Sequence, residues 1–80
     1  MDNIIYLNTI KRGQVVRVIR INSTDRALKQ RLLDMGITKD VIVTLSKVAP
    51  LGDPICLNIR SYALIVRREH LASVEVEVIK

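Results

Sequence analysis

The sequence predicts a mainly β fold, a small barrel or sandwich of about five short strands with one inserted α-helix. Apolar and polar residues alternate in several short runs, which is typical of half-buried strands. The chain is 49% hydrophobic but only 2% aromatic, so its core must be aliphatic, and branched aliphatic residues favour strands. With 80 residues there is room for one domain, spanning 1–80.

The first long strand is predicted over residues 14–21, QVVRVIRI. Apolar residues lie on both of its faces, as in a strand that is central, sharply bent or covered on its second side. Further strands with a two-residue period are predicted at 41–46, 55–60, 62–66 and 74–79, with a helical turn at 67–73. In this register Ile55, Leu57, Ile59 and Tyr62 are expected to face inward.

One helix is predicted from Asp25 to Met35. Ser23 or Thr24 is expected to cap its N terminus, which places Asp25 favourably in the first turn. Gly36 follows as the natural left-handed stop.

The apolar residues of this helix do not all share one face. At about 100° per residue, Leu28, Leu32 and Met35 form one stripe, whereas Leu33 lies among charged residues. Leu33 is therefore expected either to pack under a neighbouring segment or to contact a partner.

The segment APLGDP connects two predicted strands, and its local chemistry makes the connection stiff. Pro50 fixes its own φ, and Gly52 can supply a positive φ. Pro54 holds Asp53 in an extended conformation just before the next strand. One interpretation is a rigid connector; the other is a preorganised docking feature that presents Leu51 and loses little entropy on binding.

No pattern for catalysis or cofactor binding is present, so we predict neither an enzyme nor a bound cofactor. The glycines stand alone and make no phosphate-binding loop. Cys56, His70, Asp53 and Glu69 are the plausible metal donors, but they form no spaced motif, and no metal site is predicted within one chain. A metal-binding or metal-sensing module is kept as an alternative function.

The formal net charge of +5 and the sequence pI near 9.9 permit an acidic partner such as nucleic acid. Proteins that read single strands stack bases on aromatic side chains, and here only Tyr6 and Tyr62 are available. We therefore expect no nucleic-acid partner, although a small basic nucleic-acid-binding barrel remains an alternative.

The opening MDNII lacks the basic start and long apolar stretch of a secretory signal. Apolar runs such as ALIV at 63–66 are too short to cross a bilayer. A single cysteine, Cys56, agrees with a reducing compartment. These features predict a cytoplasmic location.

Three segments together resemble the FeoA family of bacterial ferrous-iron uptake proteins: RLLDMGI at 31–37, VAPLGDPI at 48–55 and SYALIVRREHLASVEV at 61–76. The likeness covers about Leu7 to Val78. It implies an SH3-like barrel with an inserted helix and a cytosolic accessory role on the membrane permease FeoB, whose GTP-binding domain would perform the nucleotide chemistry. The related barrel of iron-dependent repressors shares the pattern, but this chain has no DNA-binding helix pair.

Two positions depart from the family's pattern. Lys39-Asp40 stands where the family often carries Pro-Gly, and Ser61 stands where Gly often precedes the tyrosine. Either change could alter a turn without altering the fold.

The resulting prediction is a protein-interaction module that acts on the cytosolic portion of FeoB and meets the membrane only through it. One leucine of the pair at 32 and 33 is expected to serve the core, leaving the other for a partner, and a homo-oligomer is left open. The predicted partner-binding residues are Arg31, Leu32 and Leu33 on the helix and Leu51, Gly52, Asp53 and Pro54 on the loop.

Overall fold

The structure is a computed structural model that describes residues 4–80. Residues 1–3, the start of the MDNII segment, lie outside the described residues. The strands are β1 (Ile4–Tyr6), β2 (Val15–Ile21), β3 (Ile42–Val48), β4 (Ile55–Ile59), β5 (Tyr62–Val66) and β6 (Val74–Val78). Helix α1 (Arg26–Asp34) lies between β2 and β3, and 3₁₀ turns occupy Leu7–Thr9 and Arg68–Leu71.

The strands form one antiparallel sheet in the order β1-β6-β2-β3-β4-β5. β2 lies between β6 and β3, and on its second face Ile19 and Ile21 line a groove together with Leu33 of α1. The register shifts between Val18 and Arg20 where β2 pairs with β6, and between Leu45 and Lys47 where β3 pairs with β4. Such irregularities bend strands and increase their twist, so the sheet curls around its core.

The mainly β prediction with one inserted helix is confirmed, but the count of about five strands is too low. Six strands lie within residues 4–80, and the missed one is β1. At three residues it is too short to show an alternating pattern. It is held by pairing with β6, where Ile5 lies opposite Val76.

The core is entirely aliphatic, and within residues 4–80 no polar or charged residue is buried. Because no polar residue belongs to this core, it rests on the burial of branched side chains. Its members are Leu7, Ile10, Val16, Val18, Leu32, Ile37, Val41, Val43, Leu45, Ile55, Leu57, Ile59, Val66, Leu71, Val74 and Val76. The inward register predicted for β4 is therefore confirmed.

The N-terminal cap of α1 differs from the prediction. Asp25 is itself the cap, because its Oδ1 accepts a hydrogen bond from the Leu28 N–H at 3.1 Å. Ser23 instead accepts the Asp25 N–H at 3.0 Å and fixes the approach to the helix. The predicted C-terminal stop is confirmed, since Gly36 has a φ of +95°.

Tyr62 lies opposite the buried Ile59 and therefore shares the inward face, as predicted, but its side chain is 43% exposed. Its O–H donates a hydrogen bond to the Met35 carbonyl at the end of α1. The strand period holds, and the ring stays partly open because Tyr62 begins an edge strand and meets the end of α1 instead of the core. Gly36 makes this contact possible, since a Cβ at that position would lie 1.8 Å from the Tyr62 hydroxyl oxygen.

The two departures from the family's pattern both fall at left-handed turns. Asp40 has a φ of +72° and Arg60, just before Ser61, a φ of +56°. Asp40 also accepts a hydrogen bond from Arg17 at 2.6 Å, and Arg17 donates a second one to Glu77. The bond with Glu77 is the main cause that raises the pKa of Arg17. The chain tolerates a non-glycine residue at each turn, and the fold is unchanged.

We expect Gly36→Ala to lower the free energy of unfolding by at least about 2 kcal/mol, since it combines a positive φ with a clash against Tyr62. In a Tyr62→Phe background the same change should cost less, because the oxygen that clashes is gone. Chemical denaturation of the two single variants and the double variant measures this difference. An equal cost in both backgrounds would show that the two residues are not sterically coupled.

Candidate protein-interaction site

An open groove of about 410 Å³ lies between α1 and β5. α1 forms one wall, β5 and the residue after it form the other, and the proline-bounded loop and the second 3₁₀ turn contribute one residue each. The lining residues are Leu28, Arg31, Met35, Pro54, Ile65, Val66, Arg67 and His70.

The helical wall follows directly from the periodicity of α1. Leu28, Arg31 and Met35 are spaced i, i+3 and i+7, so they lie on one side of the helix. Leu28 and Met35 are only partly buried, and both pack against the core cluster. The groove therefore exposes the outer edge of the apolar stripe that holds α1 on the sheet.

The opposite wall is the edge strand of the sheet. β5 pairs with β4 on one side, and within residues 4–80 it has no strand partner on the other. Ile65 is 72% exposed, whereas its neighbour Val66 is buried. Successive side chains of a strand point to opposite faces of the sheet. Ile65 and Val66 can line the same groove because the groove lies along the edge of β5.

The groove is apolar at its base and cationic around it. Arg31 and Arg67 are exposed, and His70 is partly buried. Within the described part of the chain, no aspartate or glutamate contributes to the lining. His70 Nε2 lies 3.6 Å from Glu69 Oε2, outside the groove lining. The site is thus an apolar slot with positive charge on both walls.

The loop at 49–54 forms one end of the groove and projects beyond it. The Gly52 N–H donates to the Ala49 carbonyl at 2.8 Å, and Gly52 has the predicted positive φ, +93°. The peptide bond between Asp53 and Pro54 is cis. Leu51, at the tip, is 97% exposed, while Pro54 faces the groove.

Arg68 anchors this loop to the rest of the barrel. Its Nε donates to the Gly52 carbonyl at 2.9 Å, and one terminal nitrogen donates to the carbonyls of Asn8 at 2.8 Å and Ile10 at 3.1 Å. Its backbone N–H donates to Asp53 Oδ1 at 2.9 Å. One partly buried side chain therefore joins the loop to the segment between β1 and β2.

The structure places the predicted loop residues in different roles. Leu51 is free to contact a partner, and Pro54 lines the groove. Gly52 and Asp53 instead accept hydrogen bonds from Arg68, so they fix the shape of the loop.

The predicted helix residues are also divided. Arg31 lines the groove, so the helix and the loop do share one face. Leu32 is fully buried and belongs to the core. Leu33 is partly buried on the other side of α1, where it lines a separate groove with Ile19 and Ile21 of β2.

Sequence reasoning missed several residues of the site. Leu28 and Met35 look like simple core positions, because periodicity does not distinguish a buried stripe from its half-exposed edge. Arg67 and Arg68 form an adjacent basic pair, yet the first lines the groove and the second anchors the loop. The signal that the sequence offered for Ile65 was the run YALIV at 62–66, which has neither the charge nor the proline that usually protects an edge strand.

Residues 4–80 contain no group of three or more His, Cys, Asp or Glu side chains placed to hold a metal ion. Cys56 is a free thiol on β4 and is partly buried. No helix of the described chain combines the length and apolarity needed to cross a membrane.

Comparison with protein families matches the FeoA domain over residues 5–78. A relative from Porphyromonas gingivalis, an Fe(2+) transport protein A/Fe(2+) transporter FeoB fusion protein, is 32% identical over 73 residues. That alignment covers 91% of this chain but only 8% of the relative, so the chain spans a small part of that protein's length.

Solved structures share the fold. The NMR structure of an FeoA-like protein from Clostridium acetobutylicum superposes with a TM-score of 0.89 at 32% identity, covering 100% of this chain and 92% of that one. The zinc complex of FeoA from Stenotrophomonas maltophilia, described as a procaryotic SH3 domain protein, gives a TM-score of 0.75 at 18% identity. It covers 91% of this chain and 89% of that chain. The SH3-like architecture is thereby confirmed.

Arg68→Met should lower the free energy of unfolding by about 1–3 kcal/mol, because the carbonyls of Gly52, Asn8 and Ile10 lose a charged donor. It should also speed amide hydrogen exchange at Gly52, whose loop is no longer tied to the barrel. Arg67→Met, the change at the exposed neighbour, is the matched control and should leave both quantities nearly unchanged. Equal stability of the two variants would contradict the anchoring role.

Proposed function

The chain belongs to the FeoA family, and on this premise we propose that it is a cytosolic accessory protein of bacterial ferrous iron uptake. In this proposal it acts as a protein-interaction module on the FeoB permease and performs no catalysis itself. Its task is to bias or support FeoB through contacts on the cytoplasmic side.

The fusion relative supports the choice of partner. In the Porphyromonas gingivalis protein, transport protein A and the FeoB transporter are parts of one polypeptide. A covalent link keeps two modules at high effective concentration, which is useful when they contact each other. The present chain would make an equivalent contact from a surface of its own.

The observation that carries the proposal is that Arg31 of the helix and Pro54 of the loop line the same groove. An apolar slot with arginines beside it is the composition found at the energetic centres of protein interfaces. The anchored loop loses little freedom on docking, and Leu51 extends the apolar surface beyond the groove. We assign partner contact to Arg31, Leu51 and Pro54, with the residues that the sequence missed.

The remaining predicted residues support the site. Gly52 and Asp53 hold the loop in place, and Leu32 fixes α1 on the core. Leu33 lies on the far side of the helix and is not part of the proposed contact.

We expect the isotopically labelled chain, titrated with the cytosolic portion of FeoB from the same organism, to show amide perturbations along α1, the loop and β5. Leu51→Asp should weaken binding about tenfold or more, since it places a charge in the apolar contact. Its free energy of unfolding should change by less than about 0.5 kcal/mol, because the side chain is 97% exposed.

Ile79→Asp is the matched control, an exposed aliphatic residue outside the groove and close to the C-terminal end of β6. It should bind FeoB like the unmodified chain. Absence of binding by the cytosolic portion of FeoB, or perturbations confined to residues away from the groove, would overturn the proposal.

A further inference from the structure

The residues that line the groove indicate what kind of FeoB segment can bind there, which membership of the FeoA family alone does not. We propose that the FeoB segment that fills it is an extended strand, which pairs with β5 and carries carboxylates beside an aliphatic anchor. This inference rests on the proposed function and adds the conformation and charge of the binding segment.

The extended conformation follows from the free edge of β5. Within residues 4–80 this edge has no strand partner, although β5 is a regular strand of five residues paired along its whole length with β4. Proteins commonly protect such edges with charged side chains or prolines. β5 reads Tyr-Ala-Leu-Ile-Val and has neither. The backbone N–H and C=O groups on the side of β5 away from β4 are therefore available to an added strand.

The groove lies along the side of β5 on which an added strand would run. At one end of β5, the Met35 carbonyl accepts a hydrogen bond from the Tyr62 hydroxyl. Leu28, two turns earlier in α1, lines the groove together with Val66, Arg67 and His70. The helix therefore runs beside the edge and leaves the groove of about 410 Å³ between them. That volume accommodates one or two aliphatic side chains next to an added strand.

The aliphatic anchor follows from the base of the groove. Leu28, Met35, Pro54 and Val66 supply apolar surface there. Met35 is unbranched and adaptable, so the slot can adjust to Leu, Ile or Met. A buried anchor of this kind supplies most of the affinity in peptide recognition, while the backbone bonds of the added strand fix its direction.

The carboxylates follow from the charge of the walls. Arg31 on the helix and Arg67 just after β5 both line the groove, and so does His70 of the second 3₁₀ turn. No acidic side chain of the described residues contributes to the lining to neutralise them. Acidic residues on either side of the anchor would pair with both arginines, and they would also speed association.

The test uses the whole chain and the intact cytosolic portion of FeoB, with charge reversals Arg31→Glu and Arg67→Glu. Each should weaken binding about fivefold or more and reduce its dependence on salt. Lys29→Glu is the matched control, because Lys29 lies on the same helix but lines the groove on the β2 side. It should change the affinity less than about twofold.

The strand geometry has its own readout. Amide hydrogen exchange at β5 should slow by about tenfold or more on binding, because an added strand protects the edge backbone. Fifteen-residue peptides tiled across the cytosolic portion of FeoB then locate the segment. Replacing its carboxylates by lysine should abolish binding to the unmodified chain and restore it to the double variant that carries Arg31→Glu and Arg67→Glu.

The outcomes separate this inference from the proposed function. FeoB binding that is insensitive to both charge reversals, or that leaves β5 exchange unchanged, overturns the acidic strand and leaves the FeoB interaction standing. No binding by the cytosolic portion of FeoB overturns both. Groove perturbation by phosphatidylglycerol vesicles, without perturbation by FeoB, overturns both in favour of an anionic lipid surface.

Discussion

The geometry of the site depends on one partly buried guanidinium, that of Arg68. A cation taken out of water must recover its hydrogen bonds from the protein. Arg68 does so with carbonyls from two segments far apart in sequence, the loop after β3 and the connection after β1. Because Arg68 follows β5 within two residues, the same contacts fix the loop relative to the edge strand. The contacts of Arg68 with the loop thus also determine where Pro54 lines the groove.

The groove lies where the aliphatic core covers only part of the apolar stripe of α1. Leu32 is fully buried, but its neighbours on the same stripe, Leu28 and Met35, remain half open. In a barrel with larger aromatic side chains beneath the helix, this stripe would have more partners. Here the uncovered part of the stripe lies between α1 and the edge strand β5. Apolar side chains and the backbone groups on the free side of β5 occur together there. Folding and the proposed recognition therefore draw on the same residues.

The sequence predicted the elements better than the site. The strict alternation at Ile55, Leu57 and Ile59 identified β4 and its inward face, and Gly36 marked the end of α1. Three residues were too few to reveal β1, and the exposure of Tyr62 could not be predicted because it depends on the position of β5 at the edge of the sheet. The roles of Arg67 and Arg68 depend on contacts with segments about 15 to 60 positions away. Local patterns carry no information about such contacts.

The hydrogen bond between Tyr62 and Met35 makes the intrinsic fluorescence of the protein sensitive to the position of α1. The chain has two tyrosines and no tryptophan, so its intrinsic ultraviolet emission comes from Tyr6 and Tyr62 alone. The Tyr62 hydroxyl is bonded to a carbonyl at the end of the helix that forms one wall of the groove. Any movement of that helix away from the sheet would release the phenol to solvent and change its emission. Opening of the groove is thus visible without a label.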